Sequence, residues 1–195
     1  MDALELLKSD HDTVRELFEQ FSKAKEAGDT QRLAEVQQKI FAELEVHTSI
    51  EEEVFYPEAE QVGEEAEELV KEGVEEHHVV EVLMGEIAQL QPDDDAWVAK
   101  MTVLIENVEH HAEEEEEELF PKLREVFGDE RLAAMGQRLQ EAKARRQGGQ
   151  AGGSAGAEQD LTRDELYERA KEQDVPGRSS MTKDELAEAV GDEAS

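Results

Sequence analysis

Four histidines in this chain stand where a hydrocarbon side chain is expected. His11 shares a stripe with Leu4, Leu7, Val14, Phe18 and Phe21, and His47 shares one with Leu33, Val36, Ile40, Leu44 and Val54. His77 continues Val70, Val74, Val80, Met84 and Ile87, while His111 continues Met101, Leu104, Val108 and Leu119. Glu51 and Glu115 follow two of these histidines by four residues, so each carboxylate lies on its histidine's side of a helix. Polar groups on a buried stripe are costly unless paired or bound. A lone one is ordinarily met by a core hydrogen bond. Four imidazoles, one for each long helix, with two carboxylates spaced to join them, point instead to a shared metal site.

The donor types narrow the metal. There is no cysteine, which excludes disulfides, zinc ribbons, iron–sulfur clusters and thiol catalysis and leaves imidazole and carboxylate as ligands. Six such ligands exceed a closed four-coordinate zinc site and suit two borderline ions, each glutamate being able to bridge them; iron is expected first and manganese second. A ferritin-like carboxylate site needs Glu-x-x-His on two helices, and only Glu75-x-x-His78 has that spacing. No further acid–base triad is readable, so any catalysis would come from the metals. Two of the histidines have a histidine neighbour. Adjacent residues on a helix point about 100° apart, and the stripe registers expect His77 and His111 inward, His78 and His110 outward.

The elements that would position these groups are all helical, because apolar residues recur at threes and fours and strand-like alternation is absent. The first helix is expected from about Asp2 to Ala27, broken at Gly28-Asp29, and the second from about Thr30 to Tyr56, stopped by Pro57. A third is expected from about Glu64 to Leu90, and a fourth after Pro92 with the following aspartates as caps. Short connections between long helices imply an up-down-up-down four-helix bundle over residues 1–127. A further amphipathic helix over 128–146 is expected to pack outside it. The Gly, Ala, Ser and Gln content of 147–159 reads as a flexible linker. Two capping boxes, at Thr162 to Glu165 and Thr182 to Glu185, then open the short helices of a helix-extended-helix module over 160–195.

Charge and hydropathy bound the partners. A formal net charge of -32 disfavours nucleic acid, whose binding rests on Lys and Arg neutralising phosphates. Most of the acids form a solvated helical surface. No apolar run approaches a membrane span, and the N-terminus MDALELLKSD lacks the pattern of a signal peptide, so the expected location is the cytoplasm.

His11, then His47-x-x-x-Glu51, then His77 in GVEEHH, then His111-x-x-x-Glu115 with its EELFP ending, resemble the hemerythrin-like, or HHE cation-binding, domain over about residues 1–125. The resemblance implies that these six residues ligate a non-haem di-iron centre, with Glu51 and Glu115 bridging the irons. Oxygen-carrying hemerythrins place a second histidine four residues after the first on the third helix, where this chain has Glu81. Glu81 is therefore expected either as an extra ligand or as an acceptor behind a ligand imidazole. The implied function is binding or sensing of oxygen, nitric oxide or peroxide, or handling of iron. The alternative is a di-iron enzyme that consumes peroxide or repairs iron centres. The tail, LTRDELYERAKEQDVPGRSSMTKDELAEAV, is similar to modules of the SAP and Rho N-terminal type; its excess of acids favours docking to a protein over nucleic acid.

Overall fold

The computed structural model describes residues 1–92 and 94–151, with side chains through residue 147. The chain divides into two units, Met1–Arg146 and Gln147–Ser195, and the bundle lies in the first. Helix α1 spans Ala3–Ala27. Asp2 and Glu5 close its N-terminus as a capping box, each side chain accepting the other's backbone N–H, and Gly28 ends it at φ 65, a left-handed conformation that glycine adopts without strain. Helix α2, Thr30–Ile50, is capped by Asp29, which accepts from Arg32 N at 3.0 Å.

The two long repeats carry a feature that periodicity does not show. Pro57 was expected to stop the second helix, yet the helical run passes through it. At Glu51 the backbone widens into a π-helical turn, Glu51–Phe55, and returns to α geometry in the short α3, Tyr56–Ala59, with Pro57 in its first turn. The second repeat does the same: α5, Asp95–Glu114, leads into a π turn, Glu115–Leu119, and then α6, Phe120–Val126, with Pro121 in the first turn. The reason is local. A proline lacks an N–H and its ring collides with the carbonyl four residues back. Here the residue before each proline donates to a carbonyl five residues back, Tyr56 N to Glu51 O and Phe120 N to Glu115 O, and the wider turn lets the ring pass.

Between these halves, α4 spans Glu64–Ile87, ending short of the expected Leu90. Asp94 begins α5 in an extended conformation, but its side chain accepts from Gln91 N in the preceding turn at 3.0 Å and not from the helix. The early residues of α1 meet the late residues of α2 and α5, and the late residues of α4 meet the early residues of α5, so α1, α2, α4 and α5 form an antiparallel bundle. Val74 was expected on the buried stripe of α4, but it is exposed and Gly73 is buried in its place.

The core is divided. One apolar cluster, around Phe21, Ile40, Trp97 and Leu104, fills the end of the bundle near the α4–α5 turn. The other, around Leu7, Ile50, Phe55 and Phe120, fills the opposite end and includes Leu132, Met135, Leu139 and Ala142 of α7, Asp129–Ala151. Gly136 of α7 lies so close to the chain start that a Cβ there would come within 2.8 Å of Asp2 C and Met1 O. Helix α7 continues to Ala151, beyond the Arg146 expected as its end. The remainder of the expected linker and the module over 160–195 lie outside the described residues.

Candidate metal centre

Between the two apolar clusters is a polar layer. Going along α1, Leu7 belongs to one cluster, His11 to the layer and Val14 to the other; α2, α4 and the run from α5 into its π turn are interrupted the same way. His11, His47, Glu51, His77, His111 and Glu115 are all buried. The helical spacing that places each histidine one or two turns from core residues of both clusters is what puts them at one level.

The imidazoles form two pairs. His11 Nε2 lies 3.1 Å from His47 Nε2, and His77 Nε2 lies 3.2 Å from His111 Nε2. Glu51 spans the pairs, with Oε1 3.1 Å from His47 Nε2 and Oε2 3.3 Å from His77 Nε2. Glu115 spans them again, with Oε2 3.4 Å from His11 Nε2 and Oε1 3.9 Å from His111 Nε2. Outward, the other ring nitrogens face carboxylates. His11 Nδ1 donates to Glu116 at 3.0 Å, His77 Nδ1 to Glu52 at 3.0 Å and His111 Nδ1 to Glu76 at 2.8 Å. His47 Nδ1 lies 3.9 Å from Asp10, which Lys143 of α7 holds at 2.6 Å.

These contacts fit a cation. A proton on each outward Nδ1 leaves the Nε2 lone pairs facing one another across about a hydrogen-bond distance, which is repulsive unless something positive lies near them. Both oxygens of Glu51 and both of Glu115 are buried with no hydrogen-bond partner among the described residues. Groups that could hold a metal ion are accordingly His11, His47, Glu51 and Glu115, and Glu51, His77 and His111, with Glu51 common to both.

Electrostatics without a cation shows the same tension. Burial is the largest influence on Glu51 and, with the charge of Glu115, pushes its carboxyl well above the usual range. Burial acts the same way on Glu115, but His111, His11 and His47 outweigh it and pull that carboxyl below the usual range. Burial takes His47 down to about 4. His11 is raised because Glu115 and Glu116 overcome its burial. Tyr56 is buried beside the layer, its Oη 3.3 Å from His77 Nε2, and burial pushes its phenol well above 10.0.

Glu81 does not join this set. It is exposed on α4, because Val80 takes the inward position one turn after His77 and its neighbour is rotated out by about 100°. His78 and His110 are exposed as well. Sequence reasoning missed Glu52, Glu76, Glu116 and Asp10, the carboxylates behind the imidazoles. Their signal was present in position only, since each neighbours an inward residue and its reach depends on how the helices are paired. Against the layer lies a small cavity walled by Val14, Phe18, Leu44, Val80, Val108 and Ala112 and touching all four histidines.

A four-helix bundle with a buried imidazole–carboxylate layer defines a cation-binding helical protein. More particularly, residues 2–123 match the hemerythrin HHE cation-binding domain, and the chain belongs to that family. It is 26% identical over 157 residues to a protein named DNA nickase from Nostoc sp., covering 79% of this chain and 43% of that one. It is 25% identical over 130 residues to an uncharacterized hemerythrin-like protein of Schizosaccharomyces pombe, covering 66% and 64% respectively. The chain thus spans less than two thirds of either relative. No solved structure matches. Among the described residues no helix is long and apolar enough to cross a membrane.

Proposed function

We propose that the chain holds two iron ions through His11, His47, Glu51, His77, His111 and Glu115, and uses them to bind or sense a small molecule such as oxygen, nitric oxide or peroxide. The observation that carries this reading is the placement of Glu51 and Glu115, each with one oxygen toward each histidine pair and no other partner. Iron there would supply exchangeable positions and electrons for reversible binding or reduction of such a molecule.

The chain's own residues suggest how a ligand would be admitted. Glu51 and Glu115 both stand close to the His11–His47 pair, whereas at the other pair Glu51 is close and Glu115 Oε1 stands off at 3.9 Å from His111 Nε2, so the His77–His111 side is the one with room. The largely apolar cavity reaches that side, and its lining would favour a small neutral molecule over a charged one. Tyr56 Oη, 3.3 Å from His77 Nε2, offers a hydroxyl donor at that pair. Cutting DNA, the activity in the Nostoc relative's name, is the weaker reading, because a formal charge of -32 repels a phosphate backbone.

The test is metal analysis with an absorption spectrum before and after oxygen exposure. Two irons per chain and an oxygen-dependent visible band are expected; a single zinc, or a spectrum indifferent to oxygen, nitric oxide and peroxide, overturns the reading. Peroxide consumption over many turnovers would move it to the enzyme class.

A further inference from the structure

A second, smaller cavity approaches the layer between α4 and α5. Tyr56, Leu69, Gly73 and Leu119 line it, and His111 and Glu115 close its inner end. Glu76 and Glu114 line its outer part, and exposed His110 stands beside them, the ligand atoms of the three lying within 4.8 Å of one another. His110 Nε2 is 3.8 Å from Glu76 and 3.7 Å from Glu114. We propose that Glu76, His110 and Glu114 form a transit site for divalent cations, through which metal ions reach the buried centre. This rests on the reading of that centre given above.

Several observations support it independently of the acidic character of the trio. Exposure is graded inward, from a His110 side chain 61% exposed through Glu114 at 27% and Glu76 at 17% to Glu115 at 5%. Glu115 lines the same cavity with both oxygens buried and unpartnered, so a ligand for the ion waits at the inner end. Glu76 touches both ends, one oxygen toward His110 and the other accepting from His111 Nδ1 at 2.8 Å. Among the described residues neither Glu76 nor Glu114 is paired with a lysine or arginine, whereas Glu116, behind His11, is held by Lys8 and Arg15. A carboxylate left without a fixed cation can accept a passing one. Gly73 keeps the passage clear, since a Cβ there would lie 2.8 Å from Tyr56 Oη and 3.3 Å from His111 Cε1. Glu72 and Glu118 extend the acidic track by one helical turn on either side, which focuses cations toward the mouth.

The experiment mixes metal-free full-length chain with Co²⁺ in a stopped-flow instrument and follows the visible absorption of the bound ion. His110→Ala and Glu114→Gln should load about ten times more slowly than the parent chain, with the same final stoichiometry and spectrum. Glu113→Gln, which removes the same charge from an exposed neighbour outside the cavity, should load within about twofold of the parent rate, a difference too small for a lost focusing charge. Equal rates in all three variants, or equal slowing by Glu113→Gln, overturn the transit site while leaving the centre intact. A parent chain that takes up no Co²⁺ overturns both.

Discussion

Each imidazole in the layer does two things, and mutation separates them. Nε2 faces the centre, and Nδ1 fixes the ring by donating to a carboxylate or, in His47, by facing Asp10. His77→Ala and His111→Ala are expected to lose iron and any absorption that depends on it. His78→Ala and His110→Ala, on exposed side chains, should keep both at equilibrium. Iron analysis of the four proteins decides, and loss from His78→Ala with retention in His77→Ala would refute the assignment. Glu52→Gln and Glu116→Gln leave the inward ligands in place but weaken the acceptors behind His77 and His11. Metal affinity should fall by roughly 10–100-fold, read by competition with a chelator. Unchanged affinity would show that the rings are held by packing alone.

At the scale of elements, the π turns and α7 carry the consequences. Each π turn begins at a glutamate of the layer, so the wider backbone sets where Glu51 and Glu115 stand relative to the histidine four residues before them. Helix α7 closes the end of the bundle through Leu132, Met135 and Leu139 and through Arg131 and Arg138, both on Glu58. Gly136→Ala would force its Cβ against the backbone of Met1 to Ala3, and should cost about 1–3 kcal/mol in denaturant unfolding. A variant as stable as the parent would show that α7 can shift without cost.

The same docking predicts a pH effect. Arg131 and Arg138 hold Glu58 below its ordinary 4.5. Burial would raise Asp10, but His47 and Lys143 hold it below 3.8. A depressed carboxylate contributes stability above its unfolded value and loses it as pH falls through the folded one. Amide protection in α7, taken relative to the intrinsic exchange rate at each pH, should therefore fall first as the pH drops below about 4.5. Protection in α7 that held while the rest of the bundle lost it would contradict the ion-pair account.

At the scale of the whole molecule, the layer makes folding depend on metal. In the metal-free chain, Glu51 is held protonated above its ordinary 4.5, a contribution present at low pH and lost as pH rises through its folded value. His47, lowered to about 4, contributes above 6.5 and loses that contribution as pH falls toward 4. The chelated protein is thus squeezed from both sides. Metal at a hundredfold excess over its dissociation constant should add about 2.7 kcal/mol, or roughly 5–11 °C in Tm. Calorimetry with and without chelator checks this, and an unchanged Tm would mean that the layer is a self-satisfied polar core.

Periodicity alone shows which face of each helix is buried, because burial selects residue type at every third or fourth position. It therefore located the helices, the bundle and the inward direction of the four histidines and two glutamates. It could not show that Pro57 and Pro121 are passed through, since relief of a proline depends on a carbonyl five residues away and leaves no mark on the apolar stripe. Nor could it find Val74 outside and Gly73 inside, which follow from the nearness of Tyr56 Oη to the α4 backbone. Glu81 stood at a helical repeat from His77, yet Val80 took the inward position of that turn and left Glu81 to solvent. Which carboxylate backs which imidazole was decided only by tertiary structure: Glu116 reaches His11 across α1 and α5, and Glu76 reaches His111 across α4 and α5. Such pairs join residues far apart in the chain, and their geometry is set by how the helices pack, which no local pattern encodes.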